Sequence, residues 1–178
     1  MPENTTEYIE RLVELKRVSK VIKGGKRLKL YACVVAGDGG GHVGIGHAKS
    51  SEVAPAIKKA TEIAKKNLVR VDVNEGTILH EVKGKFSASR VILKPALPGT
   101  GIIASNAVRA VCLAAGIKNV LSKAFGSRNP TNIAIAAIRG LQSIRSIEVV
   151  AEMRNKPKEY FMRKRYEENK GDTQEESS

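Results

Sequence analysis

Apolar and polar positions alternate from Leu28 to Val35 and again from Val43 to His47. Such runs, bounded by Gly and Asp, predict β-strands with one buried face joined as hairpins. Two glycine turns frame them, Lys23-Gly24-Gly25-Lys26-Arg27 and Gly37-Asp38-Gly39-Gly40-Gly41. A short strand, Val18 to Ile22, is expected to enter the first turn. Upstream, Ile9, Leu12, Val13 and the stem of Lys16 share helical spacing and predict a short amphipathic helix over Tyr8–Lys16. Downstream, Val53, Ile57, Ala60, Ala64 and Leu68 repeat at helical spacing and predict a helix over Ser51–Leu68. Ser50 or Ser51 is placed to cap it, and Pro55 falls in the first turn, where the backbone donors lack partners. The first half therefore reads helix–strand–strand–strand–helix.

Val69–Val73 fits a short strand, and Asn74-Glu75-Gly76 a boundary. Thr77–Val82 and Phe86–Leu93 are expected to pair through a turn at Lys83-Gly84-Lys85. Lys94 to Gly101 reads as a loop, with Pro95 and Pro98 keeping it out of a sheet interior. A helix from Ser105 or Asn106 to Ala115 buries Val108, Val111, Cys112 and Ala115, and Gly116 stands at its C-cap. Ile117–Phe125 is the next strand. Asn129-Pro130 opens a helix that buries Ile133, Ala137, Leu141 and Ile144, with Gly140 allowing close packing. The second half reads strand–strand–helix–strand–helix, followed by a short helix over Ser146–Arg154. The expected division is 8–72, 73–150 and a charged, mobile tail over 151–178.

Charge changes the picture more than any motif does. The chain has 178 residues and a formal net charge of +13, which predicts a polyanionic partner. From Val82 to Ile147 there is no Asp, Glu or His, while ten Lys and Arg residues occur. General acid–base catalysis and divalent metal binding both need side chains that this window lacks. No catalytic residue, cofactor or metal is expected. Cys33 and Cys112 lie in apolar runs and read as small buried hydrophobes. No apolar run is long enough for a membrane span and the N-terminus lacks signal-peptide character, so no membrane partner and a cytoplasmic location are expected.

Two lures fail on context. Gly39 to Gly44 fits G-x-G-x-x-G, but a strand follows it where a dinucleotide site needs a helix. Gly46-His47-Ala48-Lys49-Ser50 departs from a P-loop at Ala48 and Val43. His42 and His47, five apart on a strand, would face opposite sides. The few aromatics (Tyr8, Tyr31, Phe86, Phe125, Tyr160, Phe161 and Tyr166) are scattered, which argues against a surface that stacks unpaired bases.

Val18 to Gly25 (VSK-x-x-KGG), Gly37 to Gly46 (GDG-x-G-x-VG-x-G), Glu52 to Ala60, Gly99 to Ala104 (GTGIIA) and the motifs between Arg109 and Asn132 resemble bacterial ribosomal protein S-five. The match covers about Leu12 to Gly140; Ala48, Lys26-Arg27 and Ser105-Asn106 depart from it. The resemblance implies an α/β (α+β) fold. Its first domain would be a double-stranded-RNA-binding-like α-β-β-β-α unit, and its second a left-handed β-α-β unit. It implies a structural role, not an enzymatic one, in the small ribosomal subunit: binding small-subunit rRNA, stabilising the body–head arrangement and supporting decoding accuracy. Implied neighbours are ribosomal proteins S-four and S-eight, and with S-three and S-four the chain would line the channel through which mRNA enters. Candidate rRNA contacts are Arg17, Ser19, Lys20, Lys23, Gly24, Gly25, Lys26, Arg27, Lys49, Lys58, Lys83, Lys85, Arg90, Lys94, Lys123, Arg128 and Asn129. The loop Ser19-Lys20-Val21-Ile22-Lys23-Gly24-Gly25 matches the family's spectinomycin-region loop. A free double-stranded-RNA-binding regulator and a phosphate-handling enzyme of the same shape are the alternatives.

Overall fold

The computed structural model describes residues 8–145 and 147–155. Its first strand is the main departure from expectation. Tyr8–Lys16 is not a helix: β1 runs over Ile9–Ile22 and pairs antiparallel with β2 (Gly25–Gly37). The cause is a bulge. Leu12 faces Val34 and Glu14 faces Cys33, leaving Val13 as an extra, buried residue between them. One inserted residue breaks the alternation and leaves apolar positions at pseudo-helical spacing. Among the described residues the first half is therefore β-β-β-α-β, without the leading helix of the expected α-β-β-β-α order.

β3 (His42–Ser50) and β4 (Val69–Arg70) complete an antiparallel sheet of order β1-β2-β3-β4. Its two faces are both covered along β2. Ala32 and Val34 pack with Ala48 under helix α1 (Val53–Lys66), while Cys33 and Val35 enter the larger core shared with the second half. The buried face of α1 is Ala56, Ala60, Thr61 and Ala64; Val53, expected in the stripe, is 41% exposed. Small residues are needed here because the helix lies directly on β3. A Cβ at Gly44 would fall on the carbonyl oxygen of Ala64, and one at Gly46 on that of Ala60. The expected serine cap is also absent: Glu52 occupies the N-cap and makes no side-chain cap bond.

The second half contains β5 (Val82–Phe86), β6 (Ser89–Pro95), β7 (Ile102–Ile103), helix α2 (Asn106–Ala115), β8 (Val120–Gly126) and helix α3 (Pro130–Gln142). The sheet order is β5-β6-β8-β7. The β5–β6 turn is Ser87-Ala88, not Lys83-Gly84-Lys85, and Ser87 takes φ 53° there. Gly84 lies inside the strand because α3 crosses it; a Cβ at Gly84 would fall on the carbonyl oxygen of Ala136, and Gly140 meets it from the helix side. Of the expected strand Thr77–Val82 only Val82 lies in a strand, at the start of β5, and the expected loop from Lys94 loses Lys94 and Pro95 to the end of β6. The short β7 arises from the GTGIIA segment and runs parallel to β8, with α2 crossing between them.

Helix ends follow their sequence signals more closely. Gly116 takes φ 82° at the C-cap of α2, and the Ile117 amide donates to the Cys112 carbonyl at 2.9 Å. This consumes Ile117, so the strand begins at Val120. Asn129 caps α3, its Oδ1 accepting from the Thr131 amide at 3.2 Å, with Pro130 behind it. α2 and α3 lie between the two sheets, where one core joins Val35 and Val43 to Val91, Leu93, Val108 and Leu141. The described residues up to Ile144 form one compact unit, and those from Arg145 on a second. In the latter, helix α4 (Ile147–Arg154) includes the first residues of the expected tail. Residues 156–178 of that tail lie outside the described residues.

Candidate nucleic-acid interface

The candidate residues fall into three places. The first is the outer part of the β1–β2 hairpin. β3 pairs with β2 only from Leu30 onward, so Val18–Ile22 and Gly25–Lys29 pair with each other alone. Five residues of strand make an arm about 17 Å long. Lys23 and Gly24 form its tip, with Gly24 at φ 96° and open space around it. The register gives each side of the ribbon its own character. Lys20 stands opposite Arg27, and Val18 opposite Lys29, on the side that also carries Lys16. The other side carries Arg17, Ser19, Val21, Lys26 and Leu28, with Val21 72% exposed.

The second place is the outer face of the second sheet. Val82, Gly84, Ser89, Val91 and Leu93 point inward, so their neighbours point out. Lys83 lies beside Ile92 and Lys123, Lys85 beside Arg90 and Phe125, and Lys94 beside Leu121. Five expected cations thus share one face that neither α2 nor α3 covers. Glu81 is the acid paired with it among the described residues, at 3.4 Å from Lys94 and 3.9 Å from Lys83. Exposed pairs of this kind hold weakly.

Both places set like charges directly across a ladder, Lys20 against Arg27 and Lys85 against Arg90. Such pairs destabilise an isolated sheet. They become favourable when an anion lies over them.

The third place is the start of α3. Arg128 and Asn129 stand there, and Lys49 reaches it from β3 along a cleft that Asn129 also lines. Lys58 is exposed on α1. Sequence reasoning passed over Lys29, which alternation along β2 could have added, and Phe125. Phe125 is 47% exposed at the edge of the cationic face, beside Arg90.

The second glycine turn is not part of this surface. It packs against the C-terminal end of α2: the Gly39 amide donates to the Ala114 carbonyl at 3.0 Å, and a Cβ at Gly116 would strike the Gly39 carbonyl. Asp38 closes the turn. Its Oδ1 accepts from the amides of Gly40 (2.8 Å) and His42 (2.9 Å), and Oδ2 meets His42 Nδ1 at 2.6 Å. Burial pulls the Asp38 carboxyl up, but the two amides and the imidazole outweigh it and hold it below its usual value. The carboxylate therefore stabilises the fold above the unfolded Asp pKa of about 4, and that contribution disappears as pH falls through the lower folded value. Asp38→Ala should cost roughly 1 kcal/mol at neutral pH and progressively less in acid. Urea unfolding from pH 7 down to pH 2 checks this, and a pH-independent difference would refute it.

Burial pushes the Cys112 thiol up to about 12 and raises Cys33 as well, so neither is a thiolate at neutral pH. Among the described residues, no three His, Cys, Asp or Glu side chains gather as metal ligands. No helix among them is long and apolar enough to cross a membrane.

The comparisons with known proteins agree over most of the chain. The family described as "Ribosomal protein S5, N-terminal domain" matches residues 8–72, and "Ribosomal protein S5, C-terminal domain" matches residues 84–154. The chain belongs to the ribosomal protein S5 family. Proteins named small ribosomal subunit protein uS5 are similar to it over most of its length. The one from Chloroflexus aurantiacus is 48% identical over 161 residues, 90% of each chain. The one from Lawsonia intracellularis is 47% identical over 156 residues, covering 88% of this chain and 96% of its own. That from Syntrophobacter fumaroxidans is 48% identical over 150 residues, covering 84% and 90%. The S5 family is structural and not enzymatic, in keeping with the acid-free window from Val82 to Ile147. Both S5 domains are present here, a mixed α+β pair built on two sheets.

Proposed function

We propose that the chain is a structural constituent of the small ribosomal subunit in the cytoplasm and binds small-subunit rRNA through the arm and the open face of the second sheet. The observation that carries this reading is the pair of like-charge ladders, Lys20 against Arg27 and Lys85 against Arg90, on surfaces almost free of acids. Lysine and arginine there neutralise phosphates and release counterions. Asn129, the serines and the exposed backbone of the arm tip orient the RNA without reading its sequence. Folded rRNA supplies shape and 2′-hydroxyls, so specificity comes from fitting several elements at once. The domains divide at 73 in this reading. The neighbours are ribosomal proteins S-four and S-eight, with S-three close to the path by which mRNA enters.

The arm, Ser19 to Gly25, reaches toward the head and the spectinomycin region, and through it the chain supports the body–head arrangement and decoding accuracy. Its length and bare tip support this. Lys23→Glu with Lys26→Glu should leave the fold intact, since both side chains are exposed, and should alter misreading and spectinomycin response in a strain with no other copy. Unchanged accuracy together with unchanged drug response would count against the arm's role.

The function itself is tested by sedimenting a tagged chain from a native lysate with a high-salt wash. Co-migration with the small subunit after the wash is expected. Recovery only among free proteins, with ribosomes lacking the chain, would favour a free RNA-binding regulator instead.

A further inference from the structure

β4 pairs with β3 only at His42 and Val43, so β3 from Gly44 to Ser50 is an edge of its sheet. A cleft of about 650 Å³ lies along its far end, bounded by α1, β5 and the first turn of α3. That volume is within the range of small-ligand sites. His47, Lys49 and Lys59 bring imidazole and ammonium groups to it, and no Asp or Glu lines it. Two rings, Tyr31 and Phe86, form apolar wall. Both are held by other groups. The Tyr31 hydroxyl bonds Thr131 Oγ1 at 3.0 Å and its ring lies 5.2 Å from Lys16 Nζ; Arg139 sits 4.6 Å from the Phe86 centroid. Rings fixed in advance lose little freedom on binding.

We propose that this cleft takes a single unpaired nucleotide of an RNA strand, its phosphate at Lys49 and Lys59 and its base against Tyr31 and Phe86. Cations without acids select a phosphate. Aromatic wall in a concavity selects a base that has left its stack, which a duplex does not present. Asn129 and Asn132 at the rim supply polar contacts to base or ribose. The proposal deepens the rRNA-binding reading and rests on it.

The test is a titration of the full chain with the single-stranded oligoribonucleotide r(A)4, followed by amide and aromatic NMR, in parent and Lys49→Gln/Lys59→Gln protein. Both lysines are exposed, so the variant should fold. Shifts at Tyr31, Phe86 and Asn132 in the parent are expected, with at least about five-fold weaker binding in the variant, in line with the loss of two charged contacts. Shifts confined to the arm or to the Lys123–Phe125 face, or equal affinity in the variant, would overturn the proposal. Equal response to free AMP at the same concentration would also overturn it, in favour of a small-nucleotide site. Co-sedimentation of the parent chain with the small subunit is independent of all these results. A failed titration beside intact co-sedimentation rejects the cleft alone, and failed co-sedimentation rejects the wider reading.

Discussion

Gly46→Ala should cost about 3 kcal/mol or more and lower the melting temperature markedly, whereas Gly24→Ala should cost only about 1 kcal/mol. Both residues belong to the glycine-rich region that resembles a partner-binding element in sequence. Their surroundings differ. A methyl at Gly46 would fall on the Ala60 carbonyl oxygen and within 2.5 Å of the Ala64 amide nitrogen. Backbone in the middle of α1 cannot give way without lifting the helix from β3. That separation would open the Ala32, Val34, Ala48, Ala56 and Ala60 cluster. At Gly24 nothing lies within 4 Å, so only the strain of φ 96° remains. Because total stability is only about 5–15 kcal/mol, the first substitution removes a large share of it. Thermal unfolding with circular dichroism measures both, and a drop of roughly 10 °C or more is expected for Gly46→Ala. If that variant melted with the parent but bound RNA poorly, the glycine would serve a partner and not α1.

The same contrast shows what the sequence made legible. Helix boundaries set by local chemistry were readable: Asn129-Pro130 opens α3 and Gly116 closes α2, because capping depends on neighbours in the chain. Alternation found β2 and β3. It failed at Tyr8–Lys16, where the bulge at Val13 makes a strand imitate a helix. It failed again at Lys83-Gly84-Lys85, where a glycine needed for contact with α3 looks like a turn. Both errors have one cause, since the deciding contact lies far away in sequence. They also hid the interface. With a turn at Gly84, Lys83 and Lys85 would be turn residues, unrelated in facing to Arg90 and Lys94. With the turn at Ser87-Ala88, all four point the same way as Lys123. The charge bias was visible in the composition; its concentration on one face needed the register. Spacing along the chain also says little about which rings meet at a surface: Tyr31 and Phe86, far apart in sequence, line one cleft.

Neutralising that face should separate binding from folding. Lys85→Gln, Arg90→Gln and Lys123→Gln together remove three outward cations and no buried contact. The Lys85–Arg90 repulsion disappears with them, so the free chain should be as stable as the parent or more stable by up to about 1 kcal/mol. Affinity for a small-subunit rRNA fragment should nevertheless fall roughly hundred-fold near 0.1 M salt, at about 1 kcal/mol for each lost phosphate contact. The salt dependence carries the sharper signature. Each phosphate contact contributes about 0.7–0.9 to the slope of log K against log salt, so the variant's slope should be shallower by about 2–3. Filter binding across a salt series, beside urea unfolding of both proteins, gives the two readouts. A variant that lost stability and affinity together, with an unchanged salt slope, would assign these cations to the fold. A variant with unchanged affinity would move rRNA contact away from the sheet, onto the arm and the entrance of α3. The expected result is the opposed pair, firmer folding with weaker binding. That combination is what a surface bearing mutually repelling cations should give if a polyanion supplies the missing counter-charge.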